Sequence, residues 1–188
     1  MQATFSHNSE TKTILIGEPS VGKTSIINQF IHHSFNVFSD STIGASFLTK
    51  VVSTSHGDVN LFIWDTAGQE RYRSLIPMYS RNAVAAILVI DVTSKDSIES
   101  LNHWFNLIVE SCSKDVNFYI AANKCDLEIK VSMDDLKRWA DEHNIPLFLT
   151  TCKKYETIEP LFNRVAEDIK PRAQEIIQVE ESNTKCCS

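Results

Sequence analysis

Strand-like and helix-like segments alternate along this chain, which predicts an α/β fold. The sheet should be six-stranded and mostly parallel, with helices on both faces and one antiparallel edge strand. Two observations carry the prediction. Ala83-Val84-Ala85-Ala86-Ile87-Leu88-Val89-Ile90 is a continuous apolar run, suited to a central parallel strand buried on both sides. Gly17-Glu18-Pro19-Ser20-Val21-Gly22-Lys23-Thr24 is flanked by a short apolar strand and an apolar-periodic helix, a strand–loop–helix order.

The elements follow in order. Thr13-Ile14-Leu15-Ile16 reads as a buried strand, and Ser25-Ile26-Ile27-Asn28-Gln29-Phe30-Ile31 as a helix. Phe47 to Thr54 and Val59 to Trp64 are β-rich runs around Ser55-His56-Gly57-Asp58, a predicted hairpin. Ile98, Leu101, Trp104, Phe105, Ile108 and Val109 recur at helical spacing. Val116 to Ala121 is a further strand. Ser132-Met133-Asp134-Asp135 resembles a capping box opening a helix with Leu136, Trp139 and Ala140 inward. Pro146 to Thr150 is a short strand. Ile158, Leu161, Phe162, Val165 and Ile169 mark a last helix, stopped by Pro171. Trp104 and Trp139 read as core. The expected organisation is a flexible extension over residues 1–11, one domain over 12–170 and a flexible tail over 171–188.

Composition narrows the class. The 188 residues suffice for one domain with a substantial core, and 43% hydrophobic content is ordinary for a globular protein. No apolar run approaches the roughly 18 residues that a bilayer span needs. No apolar signal region opens the chain. A net charge of −6 without a basic block argues against nucleic acid as a partner. The five cysteines lack metal-site spacing, and their odd number favours free thiols.

Three motifs carry the chemistry. Residues 17 to 24 fit the phosphate-loop pattern G-x-x-x-x-G-K-[ST]. There Ser20, Val21, Gly22, Lys23, Thr24 and Ser25 can wrap backbone N–H groups round phosphate oxygens at a helix N-terminus. Lys23 supplies a point charge to the β and γ phosphates, and Thr24 a hydroxyl to Mg²⁺. The second motif, Asp65-Thr66-Ala67-Gly68-Gln69-Glu70, directly follows a predicted strand. Asp65 is placed to hold Mg²⁺ through water. Gly68 allows a backbone N–H to approach the γ-phosphate, and Gln69 can orient an attacking water. The third, Asn123-Lys124-Cys125-Asp126, follows another strand. A carboxylate at Asp126 accepts two parallel N–H bonds from guanine, a pair that adenine does not offer. The stem of Lys124 would cover the base.

In this order the motifs resemble the Ras superfamily of small GTPases, over about residues 12 to 170, and within it the Rab family. The expected fold is thus that of a small G protein, a phosphate-loop nucleoside triphosphatase. The resemblance implies that Thr42, in Ser41-Thr42-Ile43-Gly44, binds Mg²⁺ and senses the γ-phosphate. It implies that Phe35 packs beside the guanine. It places Thr151-Cys152-Lys153 at the base, with the backbone N–H near Cys152 reaching the guanine O6. Ile43 to Phe47, Trp64 to Tyr72 and Ser74 to Tyr79 look like the early-endosome Rab subgroup. There Phe47, Trp64 and Tyr79 correspond to an aromatic triad that partners read.

Some positions depart from the family. Pro19 has no N–H and a fixed φ where Rabs usually carry a small residue, so activation by partners is expected to be altered. Thr151-Cys152-Lys153 replaces Ser-Ala-Lys, and Asn82 stands where the family often has glycine. The chain ends Lys185-Cys186-Cys187-Ser188. This is not a C-a-a-X box, but Cys186 and Cys187 look like a Rab tail for double geranylgeranylation. Residues 171–188 set two cations against three carboxylates, so a second lipid must supply the second anchoring signal.

The resemblance implies a monomeric, slow GTPase with Mg²⁺ and bound GTP or GDP, a membrane switch in vesicular, early endocytic transport. Implied partners are an exchange factor, a GTPase-activating protein, effectors, a GDP-dissociation inhibitor and the Rab escort and geranylgeranyl transferase machinery. The implied location is the cytoplasmic face of endosomal or related membranes, with a soluble cytosolic pool. The alternative is a GTP-binding scaffold with negligible hydrolysis. A metabolic nucleotide kinase would need an arginine-rich lid, which the sequence lacks, and would leave Asn123 to Asp126 unexplained.

Overall fold

A computed structural model describes residues 11–36, 42, 44–66, 74–112 and 116–169. Among these residues six strands form one sheet: β1 (Lys12–Ile16), β2 (Ala45–Thr54), β3 (Gly57–Thr66), β4 (Ala85–Asp91), β5 (Asn117–Asn123) and β6 (Leu147–Thr150). Their spatial order is β2-β3-β1-β4-β5-β6, with β2 antiparallel to β3 and every other pair parallel. The helices are α1 (Lys23–His32), α2 (Ile76–Ser80), α3 (Ser97–Ser111), α4 (Met133–Glu142) and α5 (Glu159–Asp168). The expected α/β architecture with one antiparallel edge strand is therefore the observed one.

Alternation along the strands splits the core in two. Leu15, Ile63, Ile87 and Val89 face one layer, where Ile26, Ile27 and Phe30 of α1 meet Leu161, Phe162 and Val165 of α5. Ile14, Ile16, Leu88 and Ile90 face the other, beneath Leu101, Trp104 and Ile108 of α3 and Leu136 and Trp139 of α4. The rings of Phe30 and Phe162 stack with centroids 3.9 Å apart. Each fully buried side chain of this size contributes about 1.5–3 kcal/mol. Trp104 and Trp139 are core as expected, and each indole N–H is satisfied. Trp104 Nε1 donates to Glu18 Oε1 at 3.0 Å, and Trp139 Nε1 donates to Asn102 Oδ1 at 2.6 Å.

The ends of elements obey local chemistry. Helix α1 starts two residues earlier than its periodicity suggested, because Gly22 serves as N-cap in a left-handed conformation, φ 101°. The Ser132 hydroxyl caps α4 by accepting from Asp135 N at 3.3 Å. Helix α2 was not legible from periodicity; it is five residues long, with a proline in its first turn. Asn82 has φ 61°, so the position demands the left-handed region that glycine and asparagine reach most readily. The turn into β4 thus explains why glycine suits that place. Residues 1–10 of the expected extension, residue 170 of the expected domain and the whole expected tail, 171–188, lie outside the described residues. Thr11 lies within them and joins the sheet edge, donating its hydroxyl to Asn60 O at 2.6 Å.

Candidate functional site

Phe35 and Thr42 lie between α1 and β2, Phe47 and Trp64 on β2 and β3, and Tyr79 on α2. The phosphate loop, Asp65, Asn123 to Asp126 and Thr151 to Lys153 lie at or just after the carboxyl ends of β1, β3, β5 and β6. In open α/β sheets this is the edge where ligands bind, at the point where strand order reverses. Here the reversal lies at β1, between β3 and β4.

The phosphate loop leaves β1 at Gly17, whose φ is 148° and whose absent Cβ would lie 2.2 Å from Val89 O. At its other end a Cβ on Gly22 would lie 2.3 Å from Asn123 Nδ2. Both positions exclude side chains, so the loop nests against β4 and β5. Lys23 is buried, and its ammonium donates to Gly17 O at 2.9 Å and Glu18 O at 2.8 Å. Burial pushes its pKa down to about 8, partly offset by Asp65 and Glu18. Ser20 takes φ 62°, directly after exposed Pro19, which has no N–H to offer an anion.

Oxygen atoms converge beside Lys23. Thr24 Oγ1 donates to Asp65 Oδ2 at 2.7 Å and lies 2.8 Å from Thr42 Oγ1. Thr42 Oγ1 also donates to Asp65 Oδ2, at 3.3 Å. The other carboxylate oxygen, Asp65 Oδ1, is buried with no hydrogen-bond partner. Burial raises the Asp65 pKa, against the pull of Thr24, Lys23 and Thr42. An unpartnered buried carboxylate oxygen beside two hydroxyls is an all-oxygen donor set suited to a hard cation. Mg²⁺ fits these residues, with phosphate oxygens and water completing its shell. Among the described residues no group of three His, Cys, Asp or Glu could hold a metal. The three-residue set found here is one carboxylate with two hydroxyls, which would suit Mg²⁺.

The base side is built from β5 and β6. Asn123 Nδ2 donates to Val21 O at 2.7 Å, tying the third motif to the phosphate loop. Lys124, at φ 67°, pairs with Asp91 Oδ2 at 2.6 Å. Asp126 accepts from the Thr151 hydroxyl at 2.6 Å and pairs with Lys153 at 2.7 Å. Lys153 and Thr151 hold the Asp126 pKa below the usual carboxylate value. An ionised carboxylate is what two N–H donors of a base require. Cys152 is buried against this junction, whereas Phe35 stands 40% exposed after α1. Ser25 lies in the first turn of α1.

The aromatic triad is contiguous. Phe47 and Trp64 face each other across β2 and β3 with centroids 5.6 Å apart, and Tyr79 lies 6.3 Å from Trp64. Phe47 is 56% exposed, too open for a core residue. Gly68, Gln69, Cys186 and Cys187 lie outside the described residues.

Two residues of the site escaped the sequence reading. Asp91 ends β4, pairs with Lys124 and caps the next turn by accepting from Thr93 N at 2.9 Å. Burial opposes its charge, but Lys124 and Thr93 outweigh it and lower its pKa. The legible signal was a lone carboxylate closing the apolar run Ala83 to Ile90. Glu18, in the phosphate loop, receives the Trp104 indole; nothing in local sequence signals that pairing across 86 positions.

Comparisons with known proteins agree with this geometry. The Ras family model matches residues 12–171. The chain is similar to the Ras-related protein Rab5 of Nicotiana tabacum, 37% identical over 89% of this chain and 84% of that protein. It is similar to the Ras-related protein RHN1 of Nicotiana plumbaginifolia, 37% identical over 92% of this chain and 87% of that protein. It is also similar to human Ras-related protein Rab-31, 39% identical over 86% of this chain and 84% of that protein. The matched span holds all three motifs and the whole sheet, and so the chain belongs to the Ras family of small GTPases, in its Rab group.

Proposed function

We propose that this chain binds GTP and GDP with Mg²⁺ and hydrolyses GTP slowly, acting as a membrane-anchored switch in early endocytic transport. The observation that carries the reading is the convergence of Thr24, Thr42 and Asp65 beside Lys23, with Asp65 Oδ1 buried and unpartnered. Thr24, Thr42 and, through water, Asp65 would hold the ion. When bound, Mg²⁺ neutralises phosphate charge. Lys23 and the N–H groups of residues 20–25 bind the phosphates. Asp126 selects guanine, while Lys124, Phe35 and the segment Thr151 to Lys153 enclose the base.

Gln69 orients the attacking water, and Gly68 places a backbone N–H at the γ-phosphate. With no cis arginine evident in the sequence, the intrinsic rate is on the order of 10⁻⁴ s⁻¹. Thr42 belongs to one switch and Gly68 to the other, so loss of the γ-phosphate releases both. The triad of Phe47, Trp64 and Tyr79 then loses its partners. Pro19 alters how an activating protein packs on the phosphate loop. No helix among the described residues is long and apolar enough to cross a membrane. Anchoring is by geranylgeranyl groups on Cys186 and Cys187, with the regulators of such a lipid cycle as partners.

Single-turnover hydrolysis of bound GTP, with and without a catalytic Rab-activating domain, tests the reading. We expect slow hydrolysis that the domain accelerates and that Gln69→Leu impairs. Hydrolysis unmoved by the domain but lost in Gln69→Leu would place the departure at activator docking. No hydrolysis with GTP bound would make the chain a GTP-binding scaffold.

A further inference from the structure

The side chain of Cys152 reaches two other segments at once, the phosphate loop and the end of β5. It is 7% exposed. Asn123 Nδ2 donates to its sulfur at 3.5 Å, and the thiol lies 3.7 Å from Asn123 Oδ1 and 3.8 Å from Gly22 O. Gly22 O also accepts from Ile26 N at 2.9 Å, the first hydrogen bond of α1. The sulfur therefore bears on the carbonyl that anchors the phosphate-facing end of that helix.

Asn123 is the other half of the joint. It is fully buried, donates to Val21 O at 2.7 Å and accepts from the Thr150 hydroxyl at 3.3 Å. Over Gly22 the space that a Cβ would fill is closed by the Asn123 amide at 2.3 Å and by Cys152 Sγ at 3.6 Å. The carboxamide and the sulfur together form the lid of that space. Burial pushes the Cys152 thiol up to about 11, so it remains an S–H donor throughout the neutral range. An alanine at this position reaches neither Gly22 O nor the Asn123 carboxamide.

We infer that Cys152 is a positioning residue that slows nucleotide release by pinning the phosphate loop, through Gly22 and Asn123, to the two loops that hold the base. The inference rests on the guanine-nucleotide reading above. A nucleotide held at both ends leaves when its phosphate and base sides separate. The sulfur adds packing and weak hydrogen bonds to that seam. Its removal leaves the Asn123 amide held to the loop by its bond to Val21 O alone.

The test is the dissociation rate of fluorescently labelled GDP from the full chain, chased with excess unlabelled GDP in Mg²⁺. Wild type is compared with Cys152→Ala, Cys152→Ser and Val165→Ala, the last a fully buried α5 residue in the sheet's core layer. Thermal unfolding of each GDP-loaded protein is measured alongside. Loss of one buried heavy atom with its contacts predicts release about three- to tenfold faster in Cys152→Ala. Cys152→Ser, whose hydroxyl keeps part of the bonding, falls between, and reads the same effect should the alanine variant not fold. Val165→Ala lowers the unfolding temperature without speeding release. A wild-type rate in Cys152→Ala or, failing that variant, in Cys152→Ser overturns the inference. So does release that tracks unfolding temperature in Val165→Ala as well. A wild-type protein that does not retain labelled GDP overturns the nucleotide reading, and this inference with it.

Discussion

The two ends of strand β5 hold their polar groups in opposite ways. At the carboxyl end Asn123, Lys124 and Asp126 reach outward to other loops, and the backbone beside them runs through positive φ at Gly22 and Lys124. At the amino end Tyr119 donates to Asp168 Oδ2 at 3.0 Å, and Arg164 Nε donates to the same oxygen at 2.7 Å, one turn away on α5. A cleft of about 740 Å³, lined by Phe105, Phe118, His143, Pro146 and Arg164 among others, opens beside them. On the same edge of the sheet as Asn123, at the end of β3, Asp65 Oδ1 is buried without a hydrogen-bond partner. The amino end of β5 closes its charges on themselves. A buried carboxylate oxygen left unpartnered marks an edge that is organised for something outside the sheet.

Gly22→Ala should break this contrast most severely. The added methyl meets the Asn123 amide at 2.3 Å, on a backbone with φ 101°. We expect the affinity for GDP, measured by equilibrium titration, to fall about 10³-fold as the loop leaves β5. Asp126→Asn should act on the carboxyl end alone. It withdraws an acceptor from guanine, and affinity should fall about 10²-fold. The unfolding temperature of the nucleotide-free protein should barely move, because the partner Lys153 is 54% exposed and such a pair contributes under about 1 kcal/mol.

Tyr119→Phe should be the mildest change and should act on the amino end alone. It removes one hydrogen bond, a cost of about 1 kcal/mol in urea unfolding at pH 7. Its signature is in alkali. Burial, then the charge of Asp168 and the bond to it, raises the Tyr119 pKa from 10.0. Below pH 10 the phenol is protonated in both states, and its stabilisation is complete. As pH climbs beyond 10 the unfolded chain ionises first, and that stabilisation drains away. Wild type should therefore lose stability above about pH 10 more steeply than Tyr119→Phe, whose nucleotide affinity at pH 7 should be unchanged.

Much of the carboxyl end was legible in sequence because its chemistry is consecutive. A phosphate loop, a strand-end Asp65 and the run Asn123 to Asp126 each sit within a few residues, directly after apolar strands. The sheet itself was legible from the buried run Ala83 to Ile90 and from the hairpin around Gly57. What escaped was pairing at long range. Lys124 with Asp91, Trp104 with Glu18 and Tyr119 with Asp168 join positions 33, 86 and 49 apart. A carboxylate in a polar loop has no periodicity to betray its partner; only folding chooses it. Helix α2 escaped because five residues with a proline do not complete an apolar stripe.

One contact far from the site has a mechanical meaning. At the tip of the β2–β3 hairpin, Ser55 N donates to Glu167 Oε2 at 3.0 Å, the Ser55 hydroxyl donates to Glu167 Oε1, and His56 Nε2 lies 2.8 Å from Glu167 O. The hairpin is thus riveted at its far end to α5, while its near end carries Ala45 and Thr66 at the edge of the site. Ten cross-strand pairs fix its register, and a slip of one residue would turn Phe47 and Trp64 to the opposite faces. A beam clamped in this way does not slide. Its near half is held as well, because Phe62 to Asp65 pair along β1, so the hairpin is a beam fixed at both ends rather than at one.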